Sequence, residues 1–193
     1  MDNSDPLRLA VVIGSNREGR FGGIVARWFL ETIAATEGID LDVIDLADLD
    51  LHTRIGIDPP APMQSVFGRV ADADAFVFVT PEYNHSFPAS IKAFIDLHVE
   101  QWSGKAIGFV SYGGIAGGLR SVEALRLVFA SLNAATVRNT VSFANAWDQF
   151  TDGAPSDSER SAHAANSLVQ QLKWWGDALR AARRSAPLVS AGE

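Results

Sequence analysis

The alternation of short apolar runs with segments of helical periodicity constrains the fold of this chain more than any other feature of its sequence. Five runs are apolar, and most are rich in β-branched or aromatic residues, which is typical of buried strands. They cover residues 7–13, 40–46, 75–80, 105–111 and 136–143. Apolar residues recur at helical spacing in residues 22–36, 63–72, 89–99 and 119–132 between them. Strands separated by helices predict a parallel sheet, because a crossover helix returns the chain to the sheet edge from which each strand starts.

Five strands in this pattern favour an α/β, doubly wound fold with the strand order 2-1-3-4-5 and helices on both faces. The length of 193 residues fits a single domain, with a core of about residues 7–143. Residues 47–62 contain three prolines and are predicted to form a loop. A last helix is predicted over about residues 157–183, opened by a capping box between Ser156 and Glu159.

The composition excludes several classes of function. The 16 Lys and Arg against 23 Asp and Glu give a net charge of −7, which argues against a nucleic-acid partner. The absence of cysteine excludes disulfides and thiolate sites and is consistent with a cytoplasmic location. No apolar stretch is long enough to span a membrane, and the polar start does not resemble a secretory signal. The four histidines, His52, His85, His98 and His163, lack the spacing of metal ligands, so no metal is expected.

Three loops follow the carboxyl ends of the inner strands, where ligands of such sheets bind. The loop of residues 14–23 opens a helix and carries Ser15, Arg17 and Arg20. Free amides at a helix N-terminus and forked arginine hydrogen bonds favour a phosphate group. The alternative is a glycine-rich turn with solvated arginines. The loop matches neither the P-loop nor the dinucleotide fingerprint, which disfavours a P-loop NTPase and a Rossmann dehydrogenase.

The other two loops have compositions suited to a flat ring. Residues 81–88 place Tyr83 and Asn84 between two prolines, and residues 112–118 are rich in glycine, which lets the backbone approach a ligand closely. A surface turn and a flexible connector are the corresponding structural alternatives. His85 is predicted either to face a substrate or, with greater weight, to be solvent-exposed.

Taken together, these motifs resemble the NADPH-dependent FMN reductase family, which has the flavodoxin-like fold and includes quinone, azo-dye and chromate reductases. The resemblance covers about residues 7–143. It is carried by Gly14-Ser15-x-Arg17, by Pro81-Glu82-Tyr83-Asn84-x-Ser86-x-Pro88 with Lys92 and Asp96, and by Ser111-x-Gly113-Gly114 with Gly117-Gly118 before Leu125-Arg126. Many members carry a small hydroxyl residue near position 20, so the resemblance leaves open whether Arg20 or the backbone completes the phosphate site.

The resemblance implies FMN as cofactor, NADPH or NADH as reductant and a small-molecule electron acceptor. The residues implied to bind the FMN phosphate are Ser15, Arg17, Arg20, Phe21 and Gly22. Those implied to frame the isoalloxazine ring are Pro81, Glu82, Tyr83, Asn84, His85, Ser111, Tyr112 and Gly113. No side chain is expected to be catalytic, because the flavin carries the hydride chemistry.

Two other functions remain open from the sequence. One is a non-catalytic electron carrier of the flavodoxin type, and the other is a nucleotide-binding or interaction module that has lost its flavin. The family also implies a homodimer or homotetramer. Residues 89–99, with Phe94 and Leu97, are predicted to form its interface because the helix looks apolar on more than one side, and Phe87 and Trp102 flank it.

Overall fold

The predicted parallel sheet is confirmed in the computed structural model, which describes residues 5–51 and 61–186. Its five strands have the order 2-1-3-4-5. They are β1 (Leu7–Ile13), β2 (Ile39–Asp45), β3 (Ala75–Pro81), β4 (Ala106–Gly113) and β5 (Ala135–Ala144). Val11 of β1 lies opposite Val43 of β2 and Val77 of β3, so β1 is hydrogen-bonded on both sides. This register brings the carboxyl ends of β1, β3 and β4 to one edge of the sheet.

Helices cover both faces of the sheet. They are α1 (Gly22–Ile33), α2 (Ala61–Asp72), α3 (Ala89–Asp96), α4 (Leu119–Ser131), α5 (Ala146–Gln149) and α6 (Ser158–Ser185). Leu9 and Val11 pack in one hydrophobic cluster with α1 and α6, whereas Ala10 and Val12 pack in a second with α2, α3 and α4. Because successive strand residues point to opposite faces, a strand buried on both faces is apolar at nearly every position, as the sequence of β1 is.

The segment between β5 and α6 is structured. It contains α5 and a short antiparallel hairpin of β6 (Phe150–Thr151) and β7 (Ala154–Pro155). The predicted capping box is wrong, because the Ser156 amide donates to the Gln149 carbonyl oxygen at 2.6 Å. Asp157 caps α6 instead, and its Oδ1 accepts from the Arg160 amide at 3.2 Å.

The helix that was predicted over residues 89–99 ends at Asp96, and a 3-10 turn follows at Glu100–Trp102. Phe94 and Trp102 are fully buried in the core of their own chain, so they do not form a second apolar surface. The prediction that Phe94 lies in an interface is therefore wrong, because the 3-10 turn folds Trp102 back against it.

In the predicted loop of residues 47–62, a 3-10 turn covers Leu46–Asp48 and α2 begins at Ala61. Residues 49–51 have no regular secondary structure, as predicted, whereas residues 52–60, which include His52, lie outside the described residues.

An ionic cluster at the amino-end edge of the sheet holds α6 in place. Asp74 is nearly buried, and its carboxylate accepts from Arg180 at 3.2 Å and Arg183 at 2.8 Å. Arg180 also donates to the Pro6 carbonyl oxygen at 3.0 Å. Lys105 is buried beside this cluster and donates to carbonyl oxygens at the end of α2, and burial lowers its pKa to about 8. The cluster thus joins the two ends of the described chain.

Among the described residues, no helix is both long enough and apolar enough to span a bilayer.

Candidate functional site

A cavity of about 490 Å³ opens at the carboxyl ends of β1, β3 and β4. All three loops singled out by the sequence contribute to it, which agrees with the rule that ligands of such sheets bind at this edge. Its lining residues are Arg17, Glu18, Gly19, Arg20, Phe21, Pro81, Glu82, Tyr83, Tyr112, Gly113 and Trp147. A larger depression at the opposite edge of the sheet is lined by the ionic cluster of Asp74. Its buried charges are largely paired with one another, so we assign it a structural role.

The loop after β1 presents unpaired donors. Within the described part of the chain, no protein acceptor takes the amide hydrogens of residues 15–19, and the exposed guanidinium of Arg17 has no partner. Ser15, in contrast, is 1% exposed, and its hydroxyl lies 2.8 Å from that of Tyr83. The loop leads directly into α1, whose N-terminus adds the positive end of a helix dipole. This donor set suits a phosphate group.

Arg20 is held differently from Arg17. Its guanidinium forms a forked ion pair with Asp45, with Nη1 2.6 Å from Oδ1 and Nη2 bonded to Oδ2. Nη1 also donates to the Ser15 carbonyl oxygen at 2.7 Å. The sequence predicted Arg20 as a phosphate ligand or a solvated side chain. Its pairing with Asp45 was not foreseen, because that partner lies 25 residues further along the chain.

The loop after β3 folds into a tight turn. Tyr83 and Ser86 exchange two backbone hydrogen bonds, of 2.9 and 3.0 Å, around Asn84 and His85. Both central residues have positive φ, 50° and 66°, as a type I′ turn requires. Asn84 and His85 are exposed at the tip of this turn and do not line the cavity, which agrees with the solvent-exposed alternative for His85. Pro81, Glu82 and Tyr83 do line it.

Glu82 joins this loop to the start of α4. Its Oε1 accepts from Arg120 Nη1 at 2.6 Å, and its Oε2 accepts from the Arg120 amide at 3.2 Å. The carboxylate therefore satisfies an unpaired amide in the first turn of α4. Glu82 is thus a structural link between two of the three loops and is not a free acid or base.

The loop after β4 is shaped by Ser111 and by glycines. Ser111 is buried, and its hydroxyl donates to the Gly117 carbonyl oxygen at 2.8 Å, so its side chain supports the loop and does not line the cavity. Gly118 has a φ of 83°, and a Cβ at this position would lie 2.9 Å from the Tyr112 nitrogen. Only glycine tolerates both constraints. The backbone at Gly113 is thereby left facing the cavity.

Tyr112 lies beneath the loop after β1. Its ring centroid is 6.1 Å from that of Phe21, and a Cβ on Gly22 would lie 2.6 Å from its hydroxyl oxygen. This explains why a glycine begins α1. The hydroxyl is buried without a hydrogen-bond partner among the described residues, and burial together with the neighbouring Tyr83 raises the pKa of Tyr112.

Trp147 is a cavity residue that the sequence analysis missed. It lies on α5 and is 58% exposed. The segment is fixed to the loop after β4, because the Asn145 amide donates to the Gly114 carbonyl oxygen at 2.9 Å. The sequence signal that could have identified it is a tryptophan among polar residues just after a predicted strand. No cluster of His, Asp or Glu within the described ranges could hold a metal ion.

Comparison with known proteins decides the family. The family described as NADPH-dependent FMN reductase matches residues 7–148, which is most of the chain. The chain belongs to the NADPH-dependent FMN reductase family. This places it among FMN-dependent NAD(P)H oxidoreductases and confirms the resemblance seen in its motifs.

Relatives of this family member carry consistent names. An NAD(P)H-dependent FMN reductase of Schizosaccharomyces pombe is 33% identical over 122 residues, which are 58% of this chain and 60% of that protein. A quinone reductase of Escherichia coli is 32% identical over 140 residues, 68% of this chain and 73% of that protein. The alignments thus span three-fifths to three-quarters of these relatives.

Solved structures support the same fold. An oxidoreductase from Corynebacterium diphtheriae superposes with a TM-score of 0.71 at 18% identity, covering 90% of this chain and 98% of that one. The NAD(P)H:acceptor oxidoreductase FerB of Paracoccus denitrificans gives a TM-score of 0.66 at 22% identity, with 89% and 98% covered. An archaeal flavodoxin gives 0.59 at 14% identity, with 86% and 99% covered, so the flavodoxin-like fold is confirmed.

The residues of the cavity fit FMN. A phosphate monoester suits Arg17 and the unpaired amides of residues 15–19. A flat ring suits the aromatic and backbone surfaces of Pro81, Tyr83 and Gly113, which lie across the same cavity.

Proposed function

We propose that this chain binds FMN in the cavity at the carboxyl ends of β1, β3 and β4. We further propose that it passes electrons from NADPH or NADH to a quinone, a flavin or a similar small acceptor. The observation that carries this proposal is the convergence of the three loops on one cavity, with Arg17 exposed at one side and unpaired among the described residues. The names of the relatives support the reductant and the class of acceptor.

When bound, FMN would supply the redox chemistry, which is the transfer of two electrons from a reduced nicotinamide to an acceptor. We assign the phosphate to Arg17 and the amides of residues 15–19, and the ring to Pro81, Tyr83 and the backbone at Gly113. Glu82 keeps two loops in register through Arg120. No free acid or base is assigned a catalytic role, since the flavin needs none for hydride transfer.

Trp147 is proposed to contact the acceptor. Its indole lies at the side of the cavity formed by α5 and is more than half exposed. An exposed aromatic face beside a redox site can stack on a flat quinone and can exclude water from it. We therefore assign Trp147 to the acceptor or nicotinamide subsite and not to the phosphate subsite.

The spectrum of the purified protein after addition of FMN tests the function. We expect flavin absorbance bands that bleach anaerobically with NADPH or NADH and recover when a quinone is added. Bands that persist under excess NADPH and NADH would establish the flavodoxin-type carrier instead. A protein that binds no FMN would establish the module that has lost its flavin.

A homodimer or homotetramer is also proposed. Large apolar side chains remain exposed on the described surface, and Val99, the last residue of the segment predicted to form the interface, is 56% exposed. Light scattering at micromolar concentration should give a multiple of the 20.7 kDa chain mass. A mass near that of one chain would overturn the proposal.

A cytoplasmic location is proposed from the need for NAD(P)H and from the absence of cysteine, and cell fractionation tests it.

A further inference from the structure

Asp45 is the last residue of β2 and lies outside every motif that identified the family. Its side chain is 19% exposed and that of Arg20 is 20% exposed, so the pair is largely shielded from solvent. The two groups form a fork of two hydrogen bonds, the geometry that makes an arginine–carboxylate pair strongest and most directional. Such a pair has one preferred arrangement.

This pair spans the loop that is proposed to hold the phosphate. Arg20 reaches across residues 15–20, and its Nη1 donates to the carbonyl oxygen of Ser15 at 2.7 Å. Arg20 therefore joins the two ends of the loop while Asp45 holds the guanidinium from outside it. The amides between these ends, residues 16–19, have no protein acceptor within the described chain.

Asp45 is itself fixed to the sheet. It lies opposite Ile13, the last residue of β1, in the β1–β2 register. Its Oδ1 also accepts from the Ala47 amide at 3.0 Å, which limits rotation of the carboxylate. The sheet thus fixes Asp45, and Asp45 fixes the guanidinium of Arg20. Arg20 in turn sets the distance between the two ends of the loop, at Ser15 and at Arg20 itself.

We propose that Asp45 is a positioning residue for FMN binding, which acts through Arg20 to hold the loop of residues 15–20 in the shape that receives the phosphate. This inference rests on the proposed function. Two effects of Asp45 have opposite signs. As a negative charge near a phosphate, Asp45 opposes FMN binding by Coulomb repulsion. By holding Arg20, and through it the loop, Asp45 favours binding, because the hydrogen-bond donors are preorganised. We expect the gain in FMN affinity from the positioned loop to exceed the loss from charge repulsion.

The substitution Asp45→Asn separates the two effects, because it removes the charge and the forked pair with little change in size. The measurement is the Kd of FMN, from quenching of flavin fluorescence, with riboflavin as a second probe that lacks the phosphate. We expect the Kd of FMN to rise by about tenfold, which corresponds to ~1.4 kcal/mol. The Kd of riboflavin should change by less than twofold. Tighter FMN binding in Asp45→Asn would overturn the proposal, because it would show that the charge dominates.

The chain offers a matched control. Asp42 lies on the same strand and forms a forked pair with Arg69, with Oδ1 at 2.6 Å from Nη2 and Oδ2 at 2.9 Å from Nε. Arg69 also donates to the Val43 carbonyl oxygen, but neither residue lines the cavity. Asp42→Asn should therefore leave the Kd of FMN unchanged. An equal loss in both variants would show a general effect of weakening β2, and would also overturn the proposal.

Arg20→Lys provides a second test if Asp45→Asn fails to fold. Lysine keeps the positive charge but has no planar fork to bridge Asp45 and the Ser15 carbonyl oxygen. We again expect the affinity for FMN to fall more than the affinity for riboflavin. An FMN affinity equal to that of the wild type would contradict the proposed positioning role. A wild-type protein that binds neither FMN nor riboflavin would refute the proposed function itself, which is a different outcome from any of these.

Discussion

The hydroxyl groups of Ser15 and Tyr83 lie 2.8 Å apart and join the loop after β1 to the turn after β3. Ser15 is almost fully buried, whereas Tyr83 lines the cavity. This hydrogen bond therefore connects the part of the cavity assigned to the phosphate with the part assigned to the ring. Removing this hydrogen bond should lower the affinity for the cofactor, because the bond fixes one loop relative to the other.

We predict that Ser15→Ala and Tyr83→Phe each weaken FMN binding by about 0.5–1.5 kcal/mol, the net value of one hydrogen bond. Because both variants remove the same bond, the double variant should lose little more than either single one. Titration of FMN fluorescence measures all three affinities. Losses that simply add would show that the two hydroxyls act independently.

Arg17→Ala should weaken FMN binding by about 1.5–3 kcal/mol, the range for a hydrogen bond to a charged group. The reason is that Arg17 lines the cavity and is unpaired within the described chain. The same titration, repeated with riboflavin, should show no comparable loss. Arg27→Ala, at an exposed position of α1, is the control, and an equal effect there would point to overall charge and not to the site.

Trp147→Ala should raise the KM for a naphthoquinone about 2- to 12-fold, the ratio expected from an aromatic contact of ~0.5–1.5 kcal/mol. The KM for ferricyanide, which offers no flat ring, and the Kd of FMN should stay within about twofold of the wild type. Steady-state kinetics with both acceptors make the comparison. Trp174→Ala removes an indole that is 66% exposed on α6, outside the cavity, and should change neither KM. A parallel rise in both KM values for Trp147→Ala would argue against stacking.

His98 should make stability depend on pH. It is fully buried among Phe67, Phe94 and Trp102, and its Nδ1 lies 2.7 Å from the Phe94 carbonyl oxygen. Burial lowers the pKa of His98 below its ordinary value of 6.5, an effect only partly offset by that hydrogen bond. The unfolded chain then binds a proton more readily than the folded one. The free energy of unfolding should therefore fall as the pH drops below about 6.5, with a limiting slope of about 1.4 kcal/mol per pH unit.

Urea denaturation between pH 7 and pH 5 measures this dependence. His98→Gln, which carries no titratable group, should flatten the curve over that range even if it lowers stability at pH 7. His163→Gln on α6, at an exposed position, is the control and should keep the wild-type curve. An unchanged pH dependence in His98→Gln would show that another group is responsible.

The sequence predicts the sheet and the three loops, because strands buried on both faces are apolar throughout and because their carboxyl ends must meet at one edge. It does not predict pairings between distant side chains. Arg20 looks like a phosphate ligand until Asp45 is brought beside it by the β1–β2 register. Trp102 looks like an interface residue until a 3-10 turn folds it inward. Such pairings depend on tertiary geometry, which local periodicity does not contain.

The ionic cluster around Asp74 has a practical consequence for handling the protein. Arg180 and Arg184 hold Asp5 and Pro6, so the first and last described segments meet at the sheet edge opposite the cavity. A linker that immobilises the protein on an electrode through this edge of the sheet would leave the mouth of the cavity facing the solution. Electrochemical assays with tethered protein should therefore be feasible without blocking access of nicotinamide or quinone.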